Sequence, residues 1–244
     1  MSLKVNNLNG FGAGGGGASN DPPIFIGQQD SFTTFTDADD DFVGGYARAN
    51  YDASYTETAD DLAIAGICFD SATASPVWDT TPDTILYNNT SSTLGSIFFE
   101  TYAPTTSGDS ALTAGRLDGG AMGYVLLAGC CLTALFRYAD GTKLTRIGTT
   151  IASAASGMPT IPTLTATGAQ LYVAFAGLDD DTVIMTAPSG WTLVDAVTSA
   201  EGSADSSAAL AYKIGDNDSI PGSETFGGSG SDSWRVYVAA YGRP

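Results

Sequence analysis

Carboxylates dominate the reactive side chains of this sequence. Its 244 residues carry 27 Asp and Glu against nine Lys and Arg, with no histidine, for a formal net charge of −18. The usual general base of Ser and Cys hydrolases is therefore missing, as is the commonest transition-metal ligand, so catalysis or metal binding would fall to the acids. Glycoside cleavage by a carboxylate pair requires the two groups to sit about 5 to 9.5 Å apart in a cleft. Glu57, Glu100, Glu201 and Glu224 stand in no motif that fixes such a pair. Aspartates gather at Asp37-Ala38-Asp39-Asp40-Asp41, Asp179-Asp180-Asp181 and Asp216-Asn217-Asp218. Clustered hard oxygens suit Ca²⁺, but none of the three runs has the twelve-residue loop with its Gly and terminal Glu. They read as solvated acidic turns, and the chain is expected to hold no metal or cofactor and to be no enzyme.

The remaining candidate groups are thiols, indoles and a glycine tract. Cys68, Cys130 and Cys131 are odd in number and two are adjacent, which argues against a disulfide framework; buried thiols in strands are expected. Trp78 follows Pro76-Val77 and Trp191 follows Pro188-Ser189-Gly190, and each indole is expected to plug one end of a β core. Their alternative use is as exposed platforms for stacking a sugar. Gly12 to Gly17 leads into Ala18-Ser19-Asn20-Asp21-Pro22, without the strand, helix and Lys that a phosphate-cradling loop needs. The negative charge disfavours both nucleic acid and anionic membranes as partners. No apolar run approaches the roughly 20 residues of a membrane helix, and no hydrophobic stretch follows Lys4, so folding in a cytosol without a signal is expected.

The elements that must position these groups read as strands. Runs of Val, Ile, Tyr and Phe alternate with Gly, Ser, Thr, Asp and Pro clusters, the pattern of an all-β chain. These runs repeat. Leu62 and Leu171 are 109 residues apart, Trp78 and Trp191 113, Tyr102 and Tyr212 110, and Tyr124 and Arg235 111. A period near 110 is the size of an antiparallel β-sandwich domain. The sequence thus predicts two tandem antiparallel β-sandwich domains, residues 22–129 and 130–244, preceded by a Gly-rich flexible arm at 1–21. Within each unit both faces of the strands are apolar: Leu62, Ile64 and Gly66 alternate with Ala63, Ala65 and Ile67, so these strands are expected to be central and covered. Ala139-Asp140-Gly141-Thr142 reads as a hairpin turn into a strand over 143–151.

The second unit carries Pro188-Ser189-Gly190-Trp191-Thr192-Leu193-Val194, Ala208-Ala209-Leu210-Ala211-Tyr212-Lys213, Pro221-Gly222-Ser223-Glu224-Thr225-Phe226 and Trp234-Arg235-Val236-Tyr237-Val238-Ala239-Ala240-Tyr241. In these residues it resembles β-sandwich modules of structural proteins of tailed bacteriophages, and a degraded copy covers 60–129 without the Pro-Ser-Gly before Trp78. The opening Asn9-Gly10-Phe11-Gly12-Ala13-Gly14-Gly15 is similar to the starts of such proteins. The resemblance implies a non-enzymatic virion component, a capsid decoration, head-fibre or tail-associated protein, assembled in the host cytoplasm. Its implied partners are the major capsid or other virion proteins and further copies of itself. Leu3, Val5, Leu8 and Phe11 are then the expected anchoring residues, adding a strand to a neighbouring sheet with the glycines as tether. The alternative is a tail-associated adhesin or carbohydrate-binding module that recognises a host glycan through Trp78, Trp191 or the aspartate loops.

Overall fold

The two runs with apolar residues on both faces, Leu62–Asp70 and Ala169–Asp179, become central strands of two five-stranded antiparallel sheets. The computed structural model describes residues 21–27, 46–48, 60–70, 74–76, 84–89, 94–102, 111–113, 117–119, 129–179, 182–201, 204–215 and 219–244. Among them there is no helix. The first half forms β1 (Ile24–Gly27), β2 (Tyr46–Arg48), β3 (Leu62–Asp70), β4 (Ala74–Pro76), β5 (Thr84–Asn89), β6 (Leu94–Tyr102), β7 (Ala111–Thr113), β8 (Leu117–Gly119) and β9 (Gly129–Arg137). The second forms β10 (Thr145–Ala154), β11 (Thr160–Ile161), β12 (Leu164–Thr165), β13 (Ala169–Asp179), β14 (Thr192–Glu201), β15 (Ala204–Ile214), β16 (Ser219–Ile220), β17 (Glu224–Thr225) and β18 (Trp234–Gly242).

The sheet orders are β1-β9-β3-β6-β5 and β10-β18-β13-β15-β14, the same order position for position when the halves are superposed in chain sequence. One small ribbon repeats as well, β2–β7 in the first half matching β11–β17 in the second, and β4–β8 has its counterpart in the single bridge between Thr186 and Gly227; β12–β16 has no counterpart among the described residues. The all-β antiparallel architecture and its duplication are therefore present. The pairing refines the equivalences, because Phe69 lies opposite Gly129 and Leu178 opposite Trp234. The counterpart of β18 is β9, so Trp234 corresponds to Gly129, and Tyr124 is not the equivalent of Arg235.

The sheets lie face to face, with β9 over β14 and β15, and β6 over β13 and β18. Swapping the halves reproduces that arrangement, so an approximate two-fold axis passes between the central strands β3 and β13. One continuous cluster crosses the gap, joining Leu62, Ile64 and Phe98 to Val173, Phe175, Leu210 and Tyr237. Phe98, Phe175 and Tyr237 stack nearly parallel there, with centroids 6.1 to 6.4 Å apart. A Cβ on Gly66 would overlap the Phe175 ring, and one on Gly177 would lie 3.0 Å from Cys68 Cβ. The offset of 109 makes Gly66 the equivalent of Phe175 and Cys68 the equivalent of Gly177. At the axis each residue thus meets its own duplicate, and in both pairs a glycine makes room.

The second sheet is covered on its other face by its own ribbons and connections. Ile161, Leu164, Met185, Trp191 and Phe226 close over Ala174, Ala176, Ala209 and Ala211. Ala63, Ala65, Ile67 and Phe69, on the opposite face of β3 from the shared core, are buried too, as the two-sided apolar pattern requires. The two halves meet directly, and the cluster between their sheets is the larger of the two hydrophobic clusters among the described residues.

Two expectations need correction. β9 pairs with both β1 and β3, so Gly129–Arg137 belongs to the first sheet, and the chain passes to the second sheet only through residues 138–144. The Asp140-Gly141 turn is there, with Gly141 N donating to Tyr138 O at 3.0 Å and φ of 75° at Gly141. It does not make a hairpin, because β9 and β10 lie in different sheets. Turn chemistry fixes the local backbone. Whether the flanking strands pair is decided by Tyr138 and Leu144, which bury their side chains in the shared core and pull the chain across it.

Candidate functional site

Cations are scarce in this chain, and the structure spends them on junctions. Arg146, on β10, donates to Glu100 Oε1 on β6, while Tyr241 OH on β18 donates to Glu100 Oε2 at 2.6 Å. Glu100 is 3% exposed, so its charge is offset by a cation and a hydroxyl, as a buried carboxylate requires. At the opposite end Arg235 donates to the Leu94 carbonyl, and the hydroxyls of Ser96 and Tyr237 share a 2.5 Å hydrogen bond. Burial raises the Tyr237 phenol well above its ordinary value, so it stays a neutral hydrogen-bonding group. Within the first sheet, Arg137 clasps Asp61 through two bonds of 2.9 and 3.0 Å. Desolvation lowers the Arg137 pKa without removing its charge. These contacts hold sheet to sheet and strand to strand.

The second assembly forms where the first 20 residues join the body. Arg243 lies over the Tyr138 ring, 4.0 Å from its centroid, and donates to Asp140 Oδ2 at 2.8 Å and Thr142 Oγ1 at 3.0 Å. Its other terminal nitrogen donates to the Asp21 carbonyl at 3.3 Å. Tyr138 OH donates to Gln170 Oε1 at 2.5 Å. The local sequence prepares this clamp: Asp140 Oδ1 accepts from the Thr142 backbone N–H at 3.0 Å, folding the turn so that Oδ2 faces Arg243. That backbone hydrogen bond, with help from the Thr142 hydroxyl and Arg243, holds the Asp140 carboxyl below its usual range. One guanidinium thus ties the root of the leader, the turn between the sheets and the end of β18. Sequence reading missed it; the only signal was that Arg243 is one of nine cations among 27 acids.

The residues singled out from sequence fare unequally. Leu3, Val5, Leu8, Phe11 and Trp78 lie outside the described residues, as do Glu57, Asp37 to Asp41, Asp180, Asp181 and Asp216 to Asp218. Trp191 is 8% exposed in the core under the ribbons, as the plug reading expects. Its Nε1 donates to Glu224 Oε2 at 2.9 Å, and Glu224 Oε1 accepts from Lys213 Nζ at 3.1 Å. A sugar platform needs an open ring face, so Trp191 is not one. Glu100 lies between the sheets and Glu224 under the ribbons, so these two form no catalytic pair. Among the described residues no three Cys, Asp or Glu side chains converge as metal ligands. Cys68 and Cys130 are buried, free and opposite each other on β3 and β9. Burial pushes the Cys130 thiol up to about 12 and raises Cys68 well above its ordinary value, so both are protonated core fillers.

Comparison with protein-family models, with curated proteins and with solved structures found no match.

Proposed function

We propose that the protein is a non-enzymatic structural component of a tailed-bacteriophage virion. Its best-fitting place is as a capsid decoration or head-fibre protein that assembles in the host cytoplasm and is anchored by residues 1–21. The observation that carries this reading is the division of labour in the chain. The body ties Asp61, Glu100, Asp140 and Glu224 internally to Arg137, Arg146, Arg243 and Lys213, while the leader combines apolar Leu3, Val5, Leu8 and Phe11 with a glycine tether and enters at the Arg243 clamp. Apolar residues beside a glycine-rich run suit strand addition to a neighbouring sheet. The acidic body resists non-specific adhesion to other copies and to nucleic acid. Partners on this reading are the major capsid or other virion proteins, together with further copies of the chain.

Particle incorporation tests it. A chain lacking residues 1–21 should fold normally by circular dichroism yet be missing from purified particles, while the full chain is present at stoichiometric levels. Undiminished incorporation of the truncated chain would remove the arm as anchor.

A further inference from the structure

We propose that β10 is the acceptor edge for the chain's own leader, with Leu3–Phe11 adding an antiparallel strand beside it in the same molecule. The inference rests on fold and charge alone and concerns the free chain before assembly, because the anchoring proposed above would draw on the same leader residues.

β10 is a ten-residue strand at the border of the second sheet, with β18 its one neighbour among the described residues. Long open edges invite another strand, and proteins usually blunt them with charge, Pro or shortness. The other three edges follow that rule better: β1 has four residues, β5 has six, and β14 carries Asp195 and Glu201. β10 has neither Pro nor acid, its Arg146 is committed to Glu100, and Ile147 and Ile151 are 38% and 41% exposed.

Charge singles out the occupant. No Asp or Glu occurs from Gly141 to Leu178, in a chain where one residue in nine is acidic. Only two other acid-free stretches are of comparable length: residues 119–139, whose Gly129–Arg137 part is already paired in the first sheet, and residues 1–20, which hold a single Lys4. A segment taken from the acidic remainder would bring carboxylates that nothing on β10 is free to pair. The leader brings none, and its Leu3 and Val5, which share one face of a strand, offer apolar contact to Ile147 and Ile151.

Geometry permits it within one molecule. The Asp21 carbonyl is held by Arg243, and Arg243 directly follows Gly242, which lies opposite Thr145 at the start of β10. The leader therefore enters at the end of the sandwich from which β10 departs. Traced from Asn20 back to Met1 it travels alongside β10, so its own direction is opposite, as antiparallel pairing demands. Gly12 to Asn20 reaches at most about 30 Å, enough to cross from Asp21 to that edge. The nine residues Leu3–Phe11 then span roughly 30 Å, close to the length of β10. Tethering raises the effective concentration of the strand to the millimolar range, so modest pairing suffices.

Hydrogen exchange by mass spectrometry on three chains tests this: the full protein, a chain lacking residues 2–11, and the full-length Leu3→Asp/Val5→Asp/Leu8→Asp variant. The readout is the exchange rate of β10 amides relative to those of central β13, which corrects for any change in global stability. In the full protein the edge-facing β10 amides should exchange roughly tenfold more slowly than in either variant. This slowing should be independent of protein concentration, with a monomeric mass by light scattering. Equal relative rates in all three chains would overturn the proposal. So would slowing that appears only as the mass doubles, because the leader would then be pairing with a second copy.

Discussion

The two faces of the second sheet solve opposite packing problems. Toward the first sheet it presents Val173, Phe175, Leu210, Tyr237 and Tyr241 with two alanines; toward the ribbons it presents six alanines, Ala174, Ala176, Ala209 and Ala211 at the centre, flanked by Tyr172, Leu178, Trp234, Val236 and Val238. Two sheets stand about 10 Å apart, and that space has to be filled by large side chains from both. A ribbon laid close on a sheet leaves no such space. There the central sheet positions Ala174, Ala176, Ala209 and Ala211 are small, and Trp191, Met185 and Phe226 from the connections fill the space over them. The inner face is therefore a mutual interlock, and the outer face a seat for side chains delivered by loops. Polar ties follow the same division: inside they link sheet to sheet through Glu100 and Ser96, outside they fix one loop-borne indole through Glu224.

The contrast makes predictions of graded size. Phe175→Ala empties the centre of the interlock, where the ring stacks on Phe98 and Tyr237, and should cost about 3–5 kcal/mol in urea unfolding. A loss below about 1 kcal/mol would mean that the sheets close over the gap and the interlock is plastic. Trp191→Phe keeps a ring in the outer seat but drops the bond to Glu224, and about 1–2 kcal/mol is expected from the same measurement. Should this change cost as much as Phe175→Ala, the distinction between the faces fails. The smallest effect belongs to neither face. Because the Asp140 pKa is depressed in the folded state, its contribution is present above the ordinary carboxylate range near ~4 and is lost as pH falls below it. Stability of the wild type should thus decline more between pH 6 and pH 3 than that of Asp140→Asn. Parallel pH profiles would show that the clamp at the leader root does not depend on that charge.

Much of this contrast was open to reading before any coordinates. Leu62 to Ile67 is apolar on both faces, and only a strand covered on both sides tolerates that, so the central position of β3 follows from alternation alone. Trp191, held in the turn after Pro188-Ser189-Gly190, was legible as a plug for the same physical reason: a large ring after a tight turn seeks the nearest core. Pairing partners were not legible. Tyr124–Gly129 has the same composition as a closing strand, yet β9 fills that place, because a strand's neighbour is chosen by side chains far off in sequence. The turn at Asp140-Gly141 misled for a related reason, since a tight reversal can return the chain to the same sheet or hand it to another. Arg243 gave no local pattern, because its partners Asp21, Tyr138, Asp140 and Thr142 converge only in three dimensions.

The pairing of Gly66 with Phe175, and of Cys68 with Gly177, has a consequence for how such a chain can change. Were the halves identical molecules related by a true dyad, each substitution at the axis would arrive twice, phenylalanine colliding with phenylalanine or glycine facing glycine across a void. Written into one polypeptide, the two positions vary singly. A ring on one side can then be matched by a hollow on the other, an asymmetric fit that no self-associating pair of equals can adopt.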